Sequence, residues 1–354
     1  MARLGEKSNM RVIQWATGSM GRTALRRIID ARELTLAGTY VYGSGKAGVD
    51  AGTLARRADT GVLATDDRAA ILALDADVVV HCPRITLPYD ALVEDVAALL
   101  ESGKNVVSIA GFHWPDAHGD EYASRLRDAA LRGGATLAGV GVNPGSVVER
   151  IALAATAMSH DLTRLSVFET VDASAMESPE FVFGLMGLNS DPQESDIREG
   201  PLGDLYGALF SEVLHFFAAE LGGTVERIVS DHRLTLAERP IATAAGTIAP
   251  GRVAATEWRW TAVTDLGPEL LLSILWTADP ALHGDERQGH WTIRIDGRPN
   301  IRMSLDIEEP DPGKPPSRAL TDATVAVAIN AIPHVVAAPP GLFAFHPPAA
   351  WRQA

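Results

Sequence analysis

Residues 10–31 read MRVIQWATGSMGRTALRRIIDA. A short apolar run, Met10–Ala16, enters a glycine turn, and Arg22–Ala31 then carries Ala24, Leu25, Ile28 and Ile29 on one helical face. The turn holds Ala16-x-Gly18-x-x-Gly21, a Gly-x-Gly-x-x-Gly pattern with alanine at its first position. Strand, turn and amphipathic helix in this order constrain the chain strongly. Gly18 lets the backbone come close to a diphosphate, Gly21 lets helix and strand pack closely, and the helix start presents free N–H groups and a positive dipole end. Thr17, Gly18, Ser19, Met20, Gly21 and Arg22 are therefore the expected phosphate cradle. Alanine at position 16 weakens the pattern, because a residue with a Cβ disfavours positive φ. Taken alone, the same spacing also reads as an ordinary strand–turn–helix corner.

The chain beyond this turn favours the dinucleotide reading. Leu34–Tyr42 reads as a strand, and a third short strand is expected near Gly61–Thr65. Asp77–Cys82 is a continuous apolar run, as suits a strand buried on both faces. Tyr89–Leu100 has helical spacing and stops at Gly103; Asn105–Ala110 is a strand; Glu121–Arg132 is a helix ended by Gly133 and Gly134; Ala135–Val142 is a strand. Strict alternation predicts a Rossmann-type, doubly wound parallel sheet over residues 9–150. Past residue 150 the period changes. Arg164–Val171 reads as a strand, and Pro179–Leu188 and Leu202–Leu221 as helices. Trp258 and Trp260, Trp291 to Ile295, and Ile301 to Ile307 alternate apolar with polar, so an α+β domain with a mixed or antiparallel sheet is expected over 151–317. Glu308–Pro316 is a linker. Leu320–Ile332, with Leu320, Ala323, Val327 and Ala331 on one stripe, is a last helix in a segment 318–345 that returns to the first domain. The tail from Pro347 is expected to be loose.

Composition removes several alternatives. A formal net charge of −14 argues against general nucleic-acid affinity and anionic membrane surfaces. Cys82 is the single cysteine, which excludes an internal disulfide and suits a reducing compartment. Met1–Met10, with Arg3, Glu6 and Lys7, has no apolar run of a signal peptide, and no window approaches 18 uninterrupted apolar residues. A cytoplasmic protein is expected. The histidines are scattered without metal-ligand spacing, so no metal is expected.

The end of the second strand bears on cofactor choice. An acidic residue about 20 positions past the glycine turn binds the ribose 2′-hydroxyl of NAD. Leu36–Gly48 holds no Asp or Glu but offers Ser44 and Lys46, which suit a 2′-phosphate; Lys46 also reads as a solvated loop lysine. NADP(H) is the expected preference, with NAD(H) accepted.

Five stretches carry a family resemblance: WATGSMGR (Trp15–Arg22), KAGVDAGTL (Lys46–Leu54), GVGVNPGSV (Gly139–Val147), ESPEFVFGLMG (Glu177–Gly187) and NAIPHVVAAPPGL (Asn330–Leu342). In order and content the chain resembles the dihydrodipicolinate reductase-like superfamily. Within it, the likeness is to the branch of 2,4-diaminopentanoate dehydrogenases and native NAD(P)H-dependent amine dehydrogenases. The resemblance implies an oxidoreductase with a Rossmann domain, an α/β dimerisation and substrate domain, a homodimeric assembly and an active site between domains. Two departures matter. The His-His…Lys segment and Ser-Gly-Thr signature of true dihydrodipicolinate reductases are missing, which argues against lysine biosynthesis. The catalytic glutamate of the amine dehydrogenase branch is also missing, because Ser108–Pro115 (SIAGFHWP) holds no carboxylate. Lys104–Gly111 likewise lacks the Glu-Lys-Pro of glucose–fructose oxidoreductase-like proteins.

Ligands of such sheets bind beyond the carboxyl ends of the strands. Cys82 and Pro83, Ala110 and Gly111, and Asn143 and Pro144 lie there and are expected to touch the cofactor; Asn143-Pro144-Gly145 also reads as a turn. His113 is the nearest ionisable group to the expected nicotinamide position, and histidine exchanges protons near neutrality. Asp172 and Glu177 are further catalytic candidates, and carboxylates so placed also cap helices. His81 reads as a satisfied buried histidine and His215 as packing. Trp258, Trp260, Trp276 and Trp291 read mostly as sheet core. The expected substrate is a small carbonyl, imine or amine. The competing reading is a catalytically silent NAD(P)-binding sensor.

Overall fold

The computed structural model describes residues 9–352 apart from 266, 284–288 and 316. Arg3, Glu6, Lys7 and Pro316 lie outside the described residues. The chain forms two compact units, one of residues up to Ser146 together with Glu308–Phe345, the other of Val147–Ile307 with His346 onward. The first division falls at 146/147, beside the expected 150, and the segment 308–316 belongs to the first unit.

The first unit runs β1 (Met10–Trp15), α1 (Ser19–Asp30), β2 (Leu34–Tyr40), α2 (Ala51–Ala55), α3 (Arg68–Leu72), β3 (Val78–His81), α4 (Val93–Glu101), β4 (Asn105–Ser108), α5 (Asp120–Gly133) and β5 (Thr136–Gly139). The second contains α6 (Leu153–Thr156), β6 (Arg164–Asp172), α7 (Pro201–Leu221), β7 (Val225–Ser230), β8 (Arg233–Leu236), β9 (Ile241–Thr243), β10 (Gly246–Ile248), β11 (Val253–Thr264), β12 (Glu269–Thr277), β13 (Trp291–Asp296) and β14 (Ile301–Leu305). The chain then returns to the first unit with α8 (Ser317–Ala337) and β15 (Gly341–Leu342).

The first sheet has the order β15-β5-β4-β3-β1-β2 with every pair parallel. Val78, Val79 and Val80 are fully buried, as a central strand with helices on both faces requires. One face packs on α4 and α5 through Ile13, Val79, Val106 and Leu137, with Leu99, Leu100 and Leu126 opposite them. The other packs on α1 and α8 through Val12, Val80, Val107 and Ala138, with Ile28, Val325 and Ile332 opposite.

Several expectations need correction. The segment 61–65 is not a strand; it makes only isolated bridges, Tyr40 with Thr65 and Asp50 with Leu63. The reason is the Asp50 carboxylate, which accepts the backbone N–H groups of Gly52, Thr60 and Gly61 and so organises this loop in place of a ladder. The last helix is longer than expected; of the expected stripe it buries Ala331, while Leu320, Ala323 and Val327 are half-buried and Val325, Ala328, Ile332 and Val335 supply the rest of the buried face. By length and composition α8 is apolar enough to cross a membrane, but its apolar stripe covers the parallel sheet. Nor is the tail loose where it is described. The Trp351 N–H donates to Thr156 Oγ1 at 2.9 Å, its indole N–H donates to the His160 carbonyl at 2.8 Å, and Pro347 is buried.

The second sheet runs β14-β13-β6-β12-β11-β7, with β8 also pairing β11. Only β6 and β12 are parallel to each other, so the sheet is mixed. Trp258, Trp260, Trp276 and Trp291 are all buried in it, as sheet core. Tyr206 and Phe210 of α7 pack on three of them, with ring centroids 6.1 Å from Trp258, 5.6 Å from Trp276 and 5.2 Å from Trp260.

Candidate functional site

The chain turns between β1 and α1 in a conformation that Ala16 holds at φ 70. This is the left-handed position that the first glycine of the pattern usually fills, and alanine occupies it at a cost of about 1–2 kcal/mol. The Gln14 amide donates to the Ala16 carbonyl at 2.9 Å from below and secures it. A Cβ at Gly21 would run into that same carbonyl oxygen, so the close approach needs glycine there. Gly18, by contrast, has open space where a Cβ would stand. It caps α1 in an extended conformation, and no side chain caps the helix, so the first amides of α1 are left for a ligand.

A cavity of about 420 Å³ opens over this turn. Ala16, Thr17 and Gly18 form its base, Tyr42 and Lys46 one wall, and Cys82, Pro83 and Arg84 the other. Five expected cofactor residues, Thr17, Gly18, Lys46, Cys82 and Pro83, therefore line one space at the carboxyl ends of β1, β2 and β3. Ser44 is exposed at the start of the tight turn Ser44–Lys46. Lys46 is no free loop cation: its ammonium donates to the Thr17 carbonyl at 2.9 Å and hydroxyl at 3.2 Å. It braces the phosphate turn. Ser19, Met20 and Arg22 sit on the first turn of α1, with Arg22 exposed and outside this cavity.

The groups beneath the cavity are held neutral. Cys82 is buried, and burial pushes its thiol up to about 12 despite the opposing hydrogen bond with Gln14, so it is packing and not a nucleophile. His81 is completely buried, and desolvation pushes it down to about 3. Its Nδ1 lies 2.9 Å from Ser108 Oγ, which also accepts the Ala110 N–H at 3.1 Å. Its Nε2 has no hydrogen-bond partner among the described residues, so this histidine is half satisfied rather than fully so. The Tyr42 ring is about half exposed, yet its hydroxyl end is enclosed between the Trp15 indole at 2.9 Å and Asp95 at 3.5 Å. Burial of that end pushes the phenol up to about 12.

The loop after β4 aims His113. Gly111 and Phe112 both have positive φ, 95 and 67. A Cβ at Gly111 would collide with the Tyr89 hydroxyl, so that position must be glycine. The Gly139 N–H donates to the Phe112 carbonyl at 3.1 Å and anchors the loop to β5. His113 is thereby buried, 5% exposed, with its Cε1 3.7 Å from where a Cβ of Gly145 would stand. Ala110 and Gly111 are buried, and Asn143 and Pro144 are half-buried. His113 thus lies beside Gly145 of the Asn143–Pro144–Gly145 turn. Around this loop stand rings that sequence reasoning passed over: Tyr89 is 4.7 Å from His118, and His118 is 4.8 Å from Tyr122. No spacing pattern links them; only the loop geometry does.

The second unit places Asp172 and Glu177 differently. Both are exposed. Asp172 ends β6, and its carboxylate accepts the Ser174 N–H at 2.8 Å, a local turn bond. A more enclosed acid–base pair lies elsewhere on the same strand. Glu169 Oε1 stands 3.2 Å from His290 Nε2, and Tyr206 is pushed up to about 12 by burial and then by the Glu169 charge. Glu169 and His290 are 121 residues apart, and only the β6–β13 register brings them together.

Comparison with known proteins agrees with this architecture. The model of the 2,4-diaminopentanoate dehydrogenase C-terminal domain matches residues 147–349. The chain is 26% identical to an amine dehydrogenase of Streptomyces virginiae over 345 residues, 94% of each chain. It is 28% identical over 234 residues to a 4-hydroxy-tetrahydrodipicolinate reductase of Paraburkholderia phymatum, covering 64% of this chain and 81% of that one. A solved amine dehydrogenase from Mycobacterium smegmatis shares the fold at a TM-score of 0.71 and 22% identity, with 95% of each chain covered. With more than half its length under the family model and the phosphate turn in place, the chain belongs to the 2,4-diaminopentanoate dehydrogenase C-terminal domain family and is an NAD(P)-dependent oxidoreductase of the dihydrodipicolinate reductase-like superfamily.

Proposed function

We propose that the protein exchanges a hydride between a nicotinamide dinucleotide, NADP(H) by preference with NAD(H) accepted, and a small C=N or C=O substrate, and that amines are among its products. The observation that carries this reading is the phosphate turn: an uncapped helix start behind Gly18, with Lys46 bracing Thr17. Gly18, Ser19, Met20 and Gly21 would hold the diphosphate through backbone amides. Cys82 and Pro83, with Ala110, Gly111, Asn143 and Pro144, would bound the nicotinamide end. The cofactor supplies or accepts the hydride. His113, held by the Gly111–Phe112 turn, gives or takes the accompanying proton at the substrate heteroatom. Burial of His81 and Cys82 removes competing proton donors and nucleophiles from below. Glu177, exposed in the second unit, is the candidate for binding a substrate amine, and Asp172 stands beside it in sequence.

The test is oxidation of NADPH and of NADH with a panel of ketones and aldehydes, with and without ammonium. Ammonium-dependent turnover supports amine formation, and turnover without ammonium supports ketone reduction. His113→Gln should lower kcat about 10²- to 10⁴-fold with nucleotide affinity unchanged; unchanged kcat rejects the role of His113. The departure in Ser108–Pro115, which lacks the family's glutamate, favours one second reading, a silent NAD(P)-binding sensor. Tight nucleotide binding with no turnover on the whole panel supports it. The same proposal makes the protein a cytoplasmic homodimer, which light scattering of the purified protein tests for assembly state.

A further inference from the structure

The first unit holds a second hollow, larger than the one over the phosphate turn. A cavity of about 620 Å³ runs along the outer face of α1, between the loop after α2 and the start of α8. Six cations line it, Arg26 and Arg27 from α1, Arg56 and Arg57 after α2, and Lys314 and Arg318 before and on α8, against two carboxylates, Asp30 and Asp322. A smaller hollow beside it, between Ser19 and Arg56, adds Arg22. In a chain of net charge −14 such a concentration runs against the average.

Two of these cations are neutralised locally. Arg57 is clasped by Asp30 at 2.8 and 2.7 Å. Arg318 pairs with Asp311 at 2.9 Å, with Glu309 and Asp322 each 3.7 Å away. Among the described residues, Arg22, Arg26, Arg27 and Arg56 have no carboxylate within ion-pair distance. Arg26 instead donates to the Thr23 hydroxyl at 2.8 Å, which turns its guanidinium along the cavity wall. Its pKa is lowered by burial and then by Arg57, Arg22 and Arg56, with Asp322 opposing. Arg56 is itself held in a left-handed conformation, φ 56, at the end of α2, where glycine is the usual residue. Arg26, half-buried and repelled by its neighbours, is where an anion would be drawn most strongly, and the exposed Arg22, Arg27 and Arg56 add to the positive potential there.

We propose that this hollow and the smaller one beside it form a phosphate-monoester site adjoining the diphosphate turn at Ser19, in which Arg26 and Arg56, which line both, grip the phosphate, Arg22 and Arg27 flank them, and the Ser19 and Thr23 hydroxyls assist. Its volume lies in the range of small-molecule pockets, well beyond that of a lone inorganic ion. The phosphate comes either from a separate phosphorylated metabolite or from the 2′-phosphate of the dinucleotide. The cluster stands independently of the oxidoreductase reading; only the second source rests on it.

The experiment titrates inorganic phosphate and pyrophosphate into the purified protein by calorimetry at low salt, alone and with saturating NADH or NADPH. The variants are wild type and Arg26→Gln/Arg56→Gln, with circular dichroism confirming the fold. The expected result is pyrophosphate binding that weakens with salt and falls about tenfold or more for each guanidinium removed. Binding that persists with either nucleotide identifies a separate metabolite site. Binding blocked by NADPH but not NADH, with the NADPH preference lost in the double variant, identifies the 2′-phosphate. No binding at low salt, or binding displaced by NADH and untouched by the substitutions, overturns the proposal. Because NADH affinity is measured in the same series, failure of the oxidoreductase reading registers separately.

Discussion

His81 couples the stability of the first unit to pH. The side chain is fully buried on β3, and its imidazole is held neutral with its pKa pushed down to about 3. In the unfolded chain it returns to about 6.5. A histidine with a depressed native pKa contributes stability that is complete above the unfolded pKa and declines as pH falls toward the folded one. The affected window therefore runs from about pH 6.5 to about pH 3, with a slope approaching 1.36 kcal/mol per pH unit. Between pH 7 and pH 5 this one group removes about 2 kcal/mol, a large share of a marginal stability. Other titrating groups move over the same range, so the comparison is with His81→Asn, which has no charged form yet can still reach Ser108 Oγ. Urea melts of both proteins at pH 7 and pH 5 give the difference. The variant should be less stable at pH 7 through imperfect packing, and the gap should close by about 2 kcal/mol at pH 5. A gap that stays constant within about 0.5 kcal/mol refutes the argument, because it means that His81 is protonated in the native state as readily as in the unfolded chain.

Gly21→Val drives a side chain into the Ala16 carbonyl; it should cost about 1–3 kcal/mol in urea melts and abolish nucleotide binding, and wild-type NADPH affinity in the variant would contradict the close approach. Lys46→Met removes the brace on Thr17 and should weaken NADH and NADPH about equally, roughly three- to tenfold in fluorescence titration; a loss confined to NADPH would instead make Lys46 a 2′-phosphate ligand. Trp351→Ala removes the indole bond to the His160 carbonyl together with buried ring surface and should lower stability by about 1–2 kcal/mol; an unchanged melt would show that the tail contributes nothing.

The sequence was most legible where structure follows from neighbours along the chain. Period-two and period-3.6 patterns report burial of one face locally, so the five strands β1 to β5 and the helices α1, α4 and α5 lie close to their expected places, whereas the short α2 and α3 were not foreseen. The phosphate turn was legible for the same reason, since its glycines answer to backbone clashes between near neighbours, and Ala16 does adopt the strained φ that its position demands. Where a side chain outcompeted a ladder, periodicity misled: Asp50 gathers the amides of a segment whose pattern resembled a strand.

Other features arise only from packing. Lys46 bends back to Thr17, Trp351 reaches His160, and Glu169 meets His290 across 121 residues. The basic hollow assembles α1, the end of α2 and the start of α8, the last of these nearly the whole chain away. None of these has a sequence signature, because an exposed arginine or lysine carries the same local pattern whether its neighbour in space is water, a carboxylate or another cation. The amino-acid order alone thus determined a nucleotide-type parallel sheet with its glycine turn and a second, mixed sheet. Which charges face one another, and hence what else the first unit can hold, was decided by the three-dimensional approach of segments remote in sequence, where Coulomb interactions depend on distance in space and not on spacing along the chain.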